Sequence, residues 1–337
     1  MGALGCKLTE INKQRIDWTD IAKGLGILAV ILGHCHLPEE VWNSIYSWHM
    51  PIFFVISGYF YRIQPFEILI KKKFNSLLKP YFYTCGTIAL IEGVKAGLAR
   101  HSAWGAIRDW LLGGVYGSYF GVKFGFNFIG PIWFLPALFF TFLLLHLSLK
   151  SRYPYVCVAI LFFLGYWEVK FIGLPGSINQ AMVALPYAYI GYTIKKYNLL
   201  PTLVNKRVFF PFLILWGIGI MDGYGHIDIN TVYFGKGVGD FLFTIIAVFV
   251  FLNFSFILQD NQVINNILSF IGRNSLKILC FHNIECISFP FIELFSTIPL
   301  LSHTRFIFPL RALWAISNTM ILNFSKKVNA RLRKNDV

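Results

Sequence analysis

Long apolar runs separated by short polar pieces dominate the chain. Segments able to span a bilayer read at 17–36, 41–61, 77–98, 131–149, 153–172, 178–194, 207–224, 238–258, 275–297 and 305–324. Each approaches the roughly 20 residues that a transmembrane helix needs. The pattern predicts an all-α polytopic integral membrane protein of ten helices, forming a single domain over 1–337. Segment 178–194 is the shortest and holds Pro186, and the Gly- and aromatic-rich stretch 104–130 reads as a re-entrant or extracellular element.

Composition strengthens this reading. Of the 337 residues, 56% are hydrophobic and 14% charged, against about 25% charged in a typical soluble domain. The 35 Phe and nine Trp suit lipid-facing and interfacial surfaces. No apolar stretch followed by a small-residue cleavage site opens the chain, so no removable signal peptide is expected.

The net charge of +14 follows topology. With the N-terminus inside, Lys7, Lys13, Arg15, Arg62, Lys71–Lys73, Lys79, Lys150, Arg152, Lys195, Lys196 and the C-terminal Lys and Arg residues all fall on the cytoplasmic side. The positive-inside rule therefore predicts cytoplasmic termini, and orientation accounts for the basicity without a nucleic-acid partner. The six cysteines lie mostly in apolar runs, without metal-type spacing, and read as small hydrophobic fillers.

The chemistry concentrates in a few intramembrane polar groups. Lys23 and His34 lie in the first span with ten residues between them. At about 100° and 1.5 Å per residue they share one helix face, roughly 16 Å apart along the axis. Such a pair marks a functional site by default; the alternative is a helix whose polar ends snorkel to both interfaces. Asp20 falls near the same stripe, placed to neutralise Lys23.

His49 precedes Pro51, where freed backbone carbonyls need partners, and Ser57-Gly58 is a small pair that permits close helix approach. The loop containing Lys73 and Lys79 serves either as a topogenic, lipid-binding element or as a cradle for the phosphates of a nucleotide-bearing donor. Asn127 and Trp133 flank the start of the fourth helix, where anchoring in the aromatic belt is the simpler role. His282, Asn283 and Glu285 are expected to face inward, since lipid exposure would be costly, and Glu92 raises the same question. No Ser-His-Asp arrangement, phosphate-binding Gly loop or His/Cys metal cluster appears, which leaves the histidines for acid–base work and predicts no metal.

Four motifs in order carry a family likeness: Lys23-x10-His34, Phe53-Phe54-x-x-Ser57-Gly58, the basic loop ending Leu78-Lys79-Pro80-Tyr81, and Ile132-Trp133-Phe134-Leu135. Together they resemble the acyltransferase-3 family. The opening Ile16-Asp17-Trp18-Thr19-Asp20-Ile21-Ala22-Lys23-Gly24 is most similar to its fucose 4-O-acetylase-like branch, and the segment from Gly272 to His282 resembles the family's penultimate helix.

The resemblance implies acyl transfer, commonly of acetyl from acetyl-CoA, to a sugar hydroxyl of a surface glycan. It implies His34 as the essential histidine and Lys23 as its basic partner. Surface-glycan chemistry suggests a bacterial cytoplasmic (inner) membrane. Where many members carry Arg-x-x-Arg in the cytoplasmic loop, this chain has Lys73-x-x-Ser76 beside Lys79.

The expected catalytic set is His34, Lys23 and Asp20. His49, Lys73, Lys79, Asn127, Trp133, His282 and Glu285 are the expected substrate contacts. His34 acts either as general base or as a covalent acyl carrier, and Lys23 stabilises anionic charge in the donor or the oxyanion. The expected partners are acyl-CoA, a glycan or sugar acceptor and the lipid bilayer. The competing class is a transporter or flippase for a lipid-linked glycan, whose permeation path the same stripe would line. A non-catalytic membrane sensor, the third class, needs no lysine and histidine in register.

Overall fold

Apolar periodicity makes the helices, and small or polar residues decide where they break and how closely they approach. The computed structural model describes residues 17–289, 291 and 304–335. Its helices are α1 (Asp17–Gly33), α2 (Glu39–Tyr46), α3 (His49–Tyr59), α4 (Phe66–Lys73), α5 (Lys79–Leu98), α6 (Ala103–Tyr116), α7 (Phe134–Lys150) and α8 (Pro154–Glu168). They continue with α9 (Ile178–Lys196), α10 (Leu200–Leu203), α11 (Lys206–Met221), α12 (Val238–Leu258), α13 (Gln262–Arg273), α14 (Ser275–Ser288) and α15 (Thr304–Asn335). A small antiparallel hairpin, β1 (Ile227–Asp228) and β2 (Tyr233–Phe234), pairs Ile227 with Phe234 and Asp228 with Tyr233.

The expected span 41–61 is two helices. The chain breaks at Ser47-Trp48, where Trp48 leaves helical geometry and the Ser47 hydroxyl bonds to the Ser44 carbonyl. Pro51 then falls in the first turn of α3, where a missing N–H is tolerated. Stretch 104–130 forms α6 and two short 3₁₀ turns, Tyr119–Phe124 and Gly130–Trp133. Between α4 and α5, Phe74–Leu78 is a π-helical turn, a feature frequent at functional sites. The basic residues Lys7, Lys13 and Arg15, and most of 290–297, lie outside the described residues.

On length and composition, two described helices are long and apolar enough to cross a bilayer, residues 130–150 and 238–258; α8 and α11 are apolar but shorter. Polar groups interrupt other expected spans, as Asp20 and Lys23 do in the 17-residue α1. Outward faces are nevertheless apolar. Ile160, Phe163, Leu164 and Trp167 on α8, and Phe210, Ile214, Leu215 and Ile218 on α11, are all exposed. Patches this large on a soluble monomer would be a liability, and a bilayer covers them.

Glycines set the inner packing. A Cβ on Gly272 of α13 would lie 1.7 Å from the Asp20 carbonyl oxygen, and one on Gly24 would lie 2.3 Å from that of Leu268, so α13 rests directly on α1. Beyond it, α14 runs parallel to α1, and α15 returns antiparallel, with Asn323 bonded to Asn274 and Arg311 to Glu285. The α3–α9 contact is equally close: a Cβ on Gly58 would be 1.8 Å from the Ala188 carbonyl oxygen, and one on Gly191 1.9 Å from that of Val55. Gly58→Leu should therefore force these helices apart, costing about 1–3 kcal/mol or more, read as a lowered unfolding midpoint of the purified protein in detergent. An unchanged midpoint would mean that the helices do not stand this close.

Candidate active site

A cavity of about 350 Å³ runs along α1, lined by Lys23, Ile27, Val30 and His34. These four recur at spacings of four, three and four, the stripe of a single helical face. The opposite wall comes from α3, which runs antiparallel: His49, Met50, Phe53 and Ser57 all line the space. Leu77 of the π-helical turn, Trp133, Phe134, Leu135 and Ser275 complete the inner and middle walls. Tyr46, Asp228 and Asn230 join His34 and His49 at the outer end. The volume lies within the range of small-molecule sites, and the wall is mostly apolar with few polar groups, as such sites are.

The end of α1 presents His34 in one tautomer. An α-helix leaves its last carbonyls without amide partners. The His34 amide donates to the Ile31 carbonyl, which frees Val30, and the His34 ring Nδ1 meets the Val30 oxygen at 2.7 Å. A carbonyl oxygen only accepts, so Nδ1 carries the proton and Nε2 keeps the lone pair. His49 repeats the device, its Nδ1 meeting the Ile45 oxygen at 2.9 Å. Two imidazoles thus line the cavity with a basic nitrogen each.

Behind His34 lies a buried charged cluster. The His282 ring stands edge-on to His34, centroids 5.4 Å apart. His282 Nδ1 donates to Glu285 Oε2 at 3.1 Å, and Arg311 Nε donates to the same oxygen at 2.9 Å. The guanidinium also reaches the His34 carbonyl oxygen at 2.5 Å and Cys286 Sγ at 2.6 Å. One group therefore neutralises a buried carboxylate and caps the helix end that carries His34. His282, Glu285 and Cys286 offer ligand atoms within 4.8 Å of one another, a spacing that suits a metal ion. Arg311 already supplies positive charge to both Glu285 and Cys286.

The remaining expected residues divide. Trp133 lines the cavity, whereas Asn127 does not, and Phe128 beside it does. Lys79 is exposed at the surface, and Lys73 places its ammonium 3.3 Å from the Phe142 ring centroid; neither lines the space. Asp20 is buried behind the wall and holds Lys23 Nζ at 2.7 Å. Roughly 16 Å along α1 separates Lys23 from His34, so for a carbonyl reacting at His34 Lys23 would lie too far to serve as the oxyanion donor, which must sit about 3 Å from the reacting oxygen. Charge stabilisation in the donor remains open to it. Glu92 pairs with Lys95, away from the cavity.

Sequence reasoning passed over Arg311, Asp228, Asn230 and Tyr46. The signal for Arg311 was an arginine inside the apolar run 305–324. Asp228 and Asn230 had no signal, because they sit in what reads as an ordinary polar loop.

A family model described as an acyltransferase domain, of the acyltransferase-3 type, matches residues 16–324. Over 174 residues the chain is 28% identical to the nodulation protein NolL of Sinorhizobium fredii (strain NBRC 101917 / NGR234), a match covering 42% of this chain and 47% of that protein. The matched part spans about half the length of this curated relative. No solved structure matches. With the family model covering nearly the whole chain, the protein belongs to the membrane-embedded acyltransferase-3 family.

Proposed function

We propose that the protein is a membrane O-acetyltransferase that moves an acetyl group from cytoplasmic acetyl-CoA to a hydroxyl of a sugar in a cell-surface or lipid-linked glycan. The observation that carries this reading is the continuous cavity joining Lys23 to His34 along one face of α1. The donor's acyl arm enters from the Lys23 end, where the ammonium faces its anionic portion. His34 Nε2 removes the proton from the acceptor hydroxyl, whose oxygen attacks the thioester carbonyl. The tetrahedral intermediate collapses, the C–S bond breaks, and the imidazolium returns its proton to the departing thiolate.

The same reading has ten spans with both termini cytoplasmic, in a bacterial inner membrane, and places the chain in the fucose 4-O-acetylase-like branch. The parallel course of α1 and α14, with α15 antiparallel, is what that topology requires of its first, ninth and tenth spans. Purified protein incubated with labelled acetyl-CoA and a panel of glycosides should consume the thioester and label a glycoside. Thioester binding without turnover on any acceptor would contradict the proposal.

A further inference from the structure

The outer end of the cavity has a chemical bias that the reaction itself does not require. The polar residues that line it are Asp228, Asn230, Tyr46, His34 and His49, the two histidines keeping their Nε2 lone pairs. Among the described residues that line the cavity, Lys23 is the one cation, and it lies at the opposite end. Arg311, the nearest cation behind His34, already donates to Glu285, Cys286 and the His34 carbonyl.

Hydrogen-bond acceptors therefore predominate around His34. Asp228 Oδ1 accepts the Asn230 backbone amide at 2.9 Å, Oδ2 accepts the Thr231 hydroxyl at 3.0 Å, and the Thr231 backbone amide also donates to the carboxylate, which leaves the carboxylate acceptor capacity for one further donor. Asn230 is 8% exposed, and its Oδ1 has no hydrogen-bond partner among the described residues.

The loop holding these groups is built to stay in place. Asp240, fully buried in the first turn of α12, accepts the Gly225 amide at 3.0 Å and the Lys236 amide at 2.7 Å, closing the base of the hairpin. Gln180 of α9 donates to the Asn230 carbonyl at 2.6 Å, fixing its tip. Burial pushes the Asp228 carboxyl above its ordinary range, against the hydrogen bonds that favour its charged form. A buried acceptor left unsatisfied is costly, so ligand hydroxyls that donate to it gain affinity.

We propose that Asp228 and Asn230 form the acceptor subsite, and that the acceptor is a neutral polyhydroxylated sugar, held by hydroxyls other than the one that reacts. An anionic sugar, whether a uronate or a sugar phosphate, is excluded because its charge would meet the Asp228 carboxylate with no cation to balance it. The assignment rests on the acetyltransferase reading for the identity of the reacting hydroxyl, but the charge preference stands on the lining alone.

The test is tryptophan-fluorescence titration of full-length protein in lipid nanodiscs with methyl β-glucopyranoside, methyl β-glucopyranosiduronate and glucose 1-phosphate. The neutral glycoside should bind at least about tenfold more tightly than either anion. Asp228→Asn, which preserves the shape of the turn, should weaken the neutral glycoside about tenfold and narrow the gap to the anions. Asn230→Ala should weaken the neutral probe and keep the discrimination, because the carboxylate remains.

Equal or tighter binding of an anion would overturn the assignment. So would an Asp228→Asn protein that retains both affinity and discrimination, or the binding of no probe at all. A parallel incubation with acetyl-CoA separates the two readings: failure to bind or consume it would defeat the acetyltransferase proposal while leaving the sugar-binding result to stand or fall by itself.

Discussion

Arg311→Met should lower the stability of the protein by about 3–5 kcal/mol. The arginine side chain is 3% exposed and Glu285 1% exposed, so removing the guanidinium strands a carboxylate in a low-dielectric interior with the His282 ring and the Cys286 thiol beside it. The His34 carbonyl oxygen loses its cap in the same step. Glu285→Gln alone leaves the opposite charge unpaired and should also destabilise. The double variant Arg311→Met/Glu285→Gln removes both charges and should recover much of the loss, because a buried ion pair replaced as a pair is often near neutral. Unfolding midpoints in detergent for the four proteins close the cycle. An unchanged midpoint for Arg311→Met, or strictly additive losses in the double variant, would show that the two side chains are not coupled as described.

The cluster also explains why His34 depends on α15. His34 sits just past the end of α1, where the last carbonyls lack the usual amide partners. Its own ring satisfies Val30 and Arg311 satisfies its carbonyl, so a charge on α15 fixes the position of a histidine at the end of α1. Glu285 and His282 complete the arrangement from α14.

Much of this site was legible in the sequence. The periodicity of an α-helix fixes which residues share a face, so Lys23-x10-His34 could be placed on one stripe without coordinates, and the structure has both lining one cavity. Cost arguments worked for His282 and Glu285, whose polar groups had to face inward and do. The Ser57-Gly58 pair divides between packing and lining: Gly58 lets α9 approach, and Ser57 faces the cavity.

Charge alone misled where location was unknown. The basic loop offered four lysines, yet Lys79 is exposed and Lys73 lies against Phe142, while the uncharged Leu77 reaches the cavity. The expected span 41–61 runs through Asn43, Ser44, Ser47 and His49 to Pro51, and the chain breaks at Ser47-Trp48, where the Ser47 hydroxyl bonds to the Ser44 carbonyl. Helix α13 was missed for a different reason. Its apolar face is one-sided, too narrow to read as a span, and it is buried against α1 through Gly272 and Gly24. Asp228 and Asn230 depend on contacts between distant elements, α9 and α12 with the hairpin, and no local pattern announces such contacts.

The central claim is that His34 is the base that activates the acceptor hydroxyl. Its ring makes one hydrogen bond, to a carbonyl of its own helix, and contacts His282 edge-on. Truncation should therefore leave the fold nearly intact while removing the imidazole nitrogen that α1 presents at the end of its stripe. General-base assistance contributes about 10²–10⁴-fold, so His34→Ala should reduce acetyl transfer about a thousandfold with an unfolding midpoint close to wild type. His49 also keeps a free Nε2 in the cavity, which makes His49→Ala the necessary comparison, with a smaller expected loss. The deciding measurement is the rate of labelled acetyl transfer from acetyl-CoA to a glycoside by purified wild-type, His34→Ala and His49→Ala proteins of matched stability. Near-complete loss is expected in His34→Ala; transfer at the wild-type rate in that variant would show that His34 does not activate the acceptor hydroxyl.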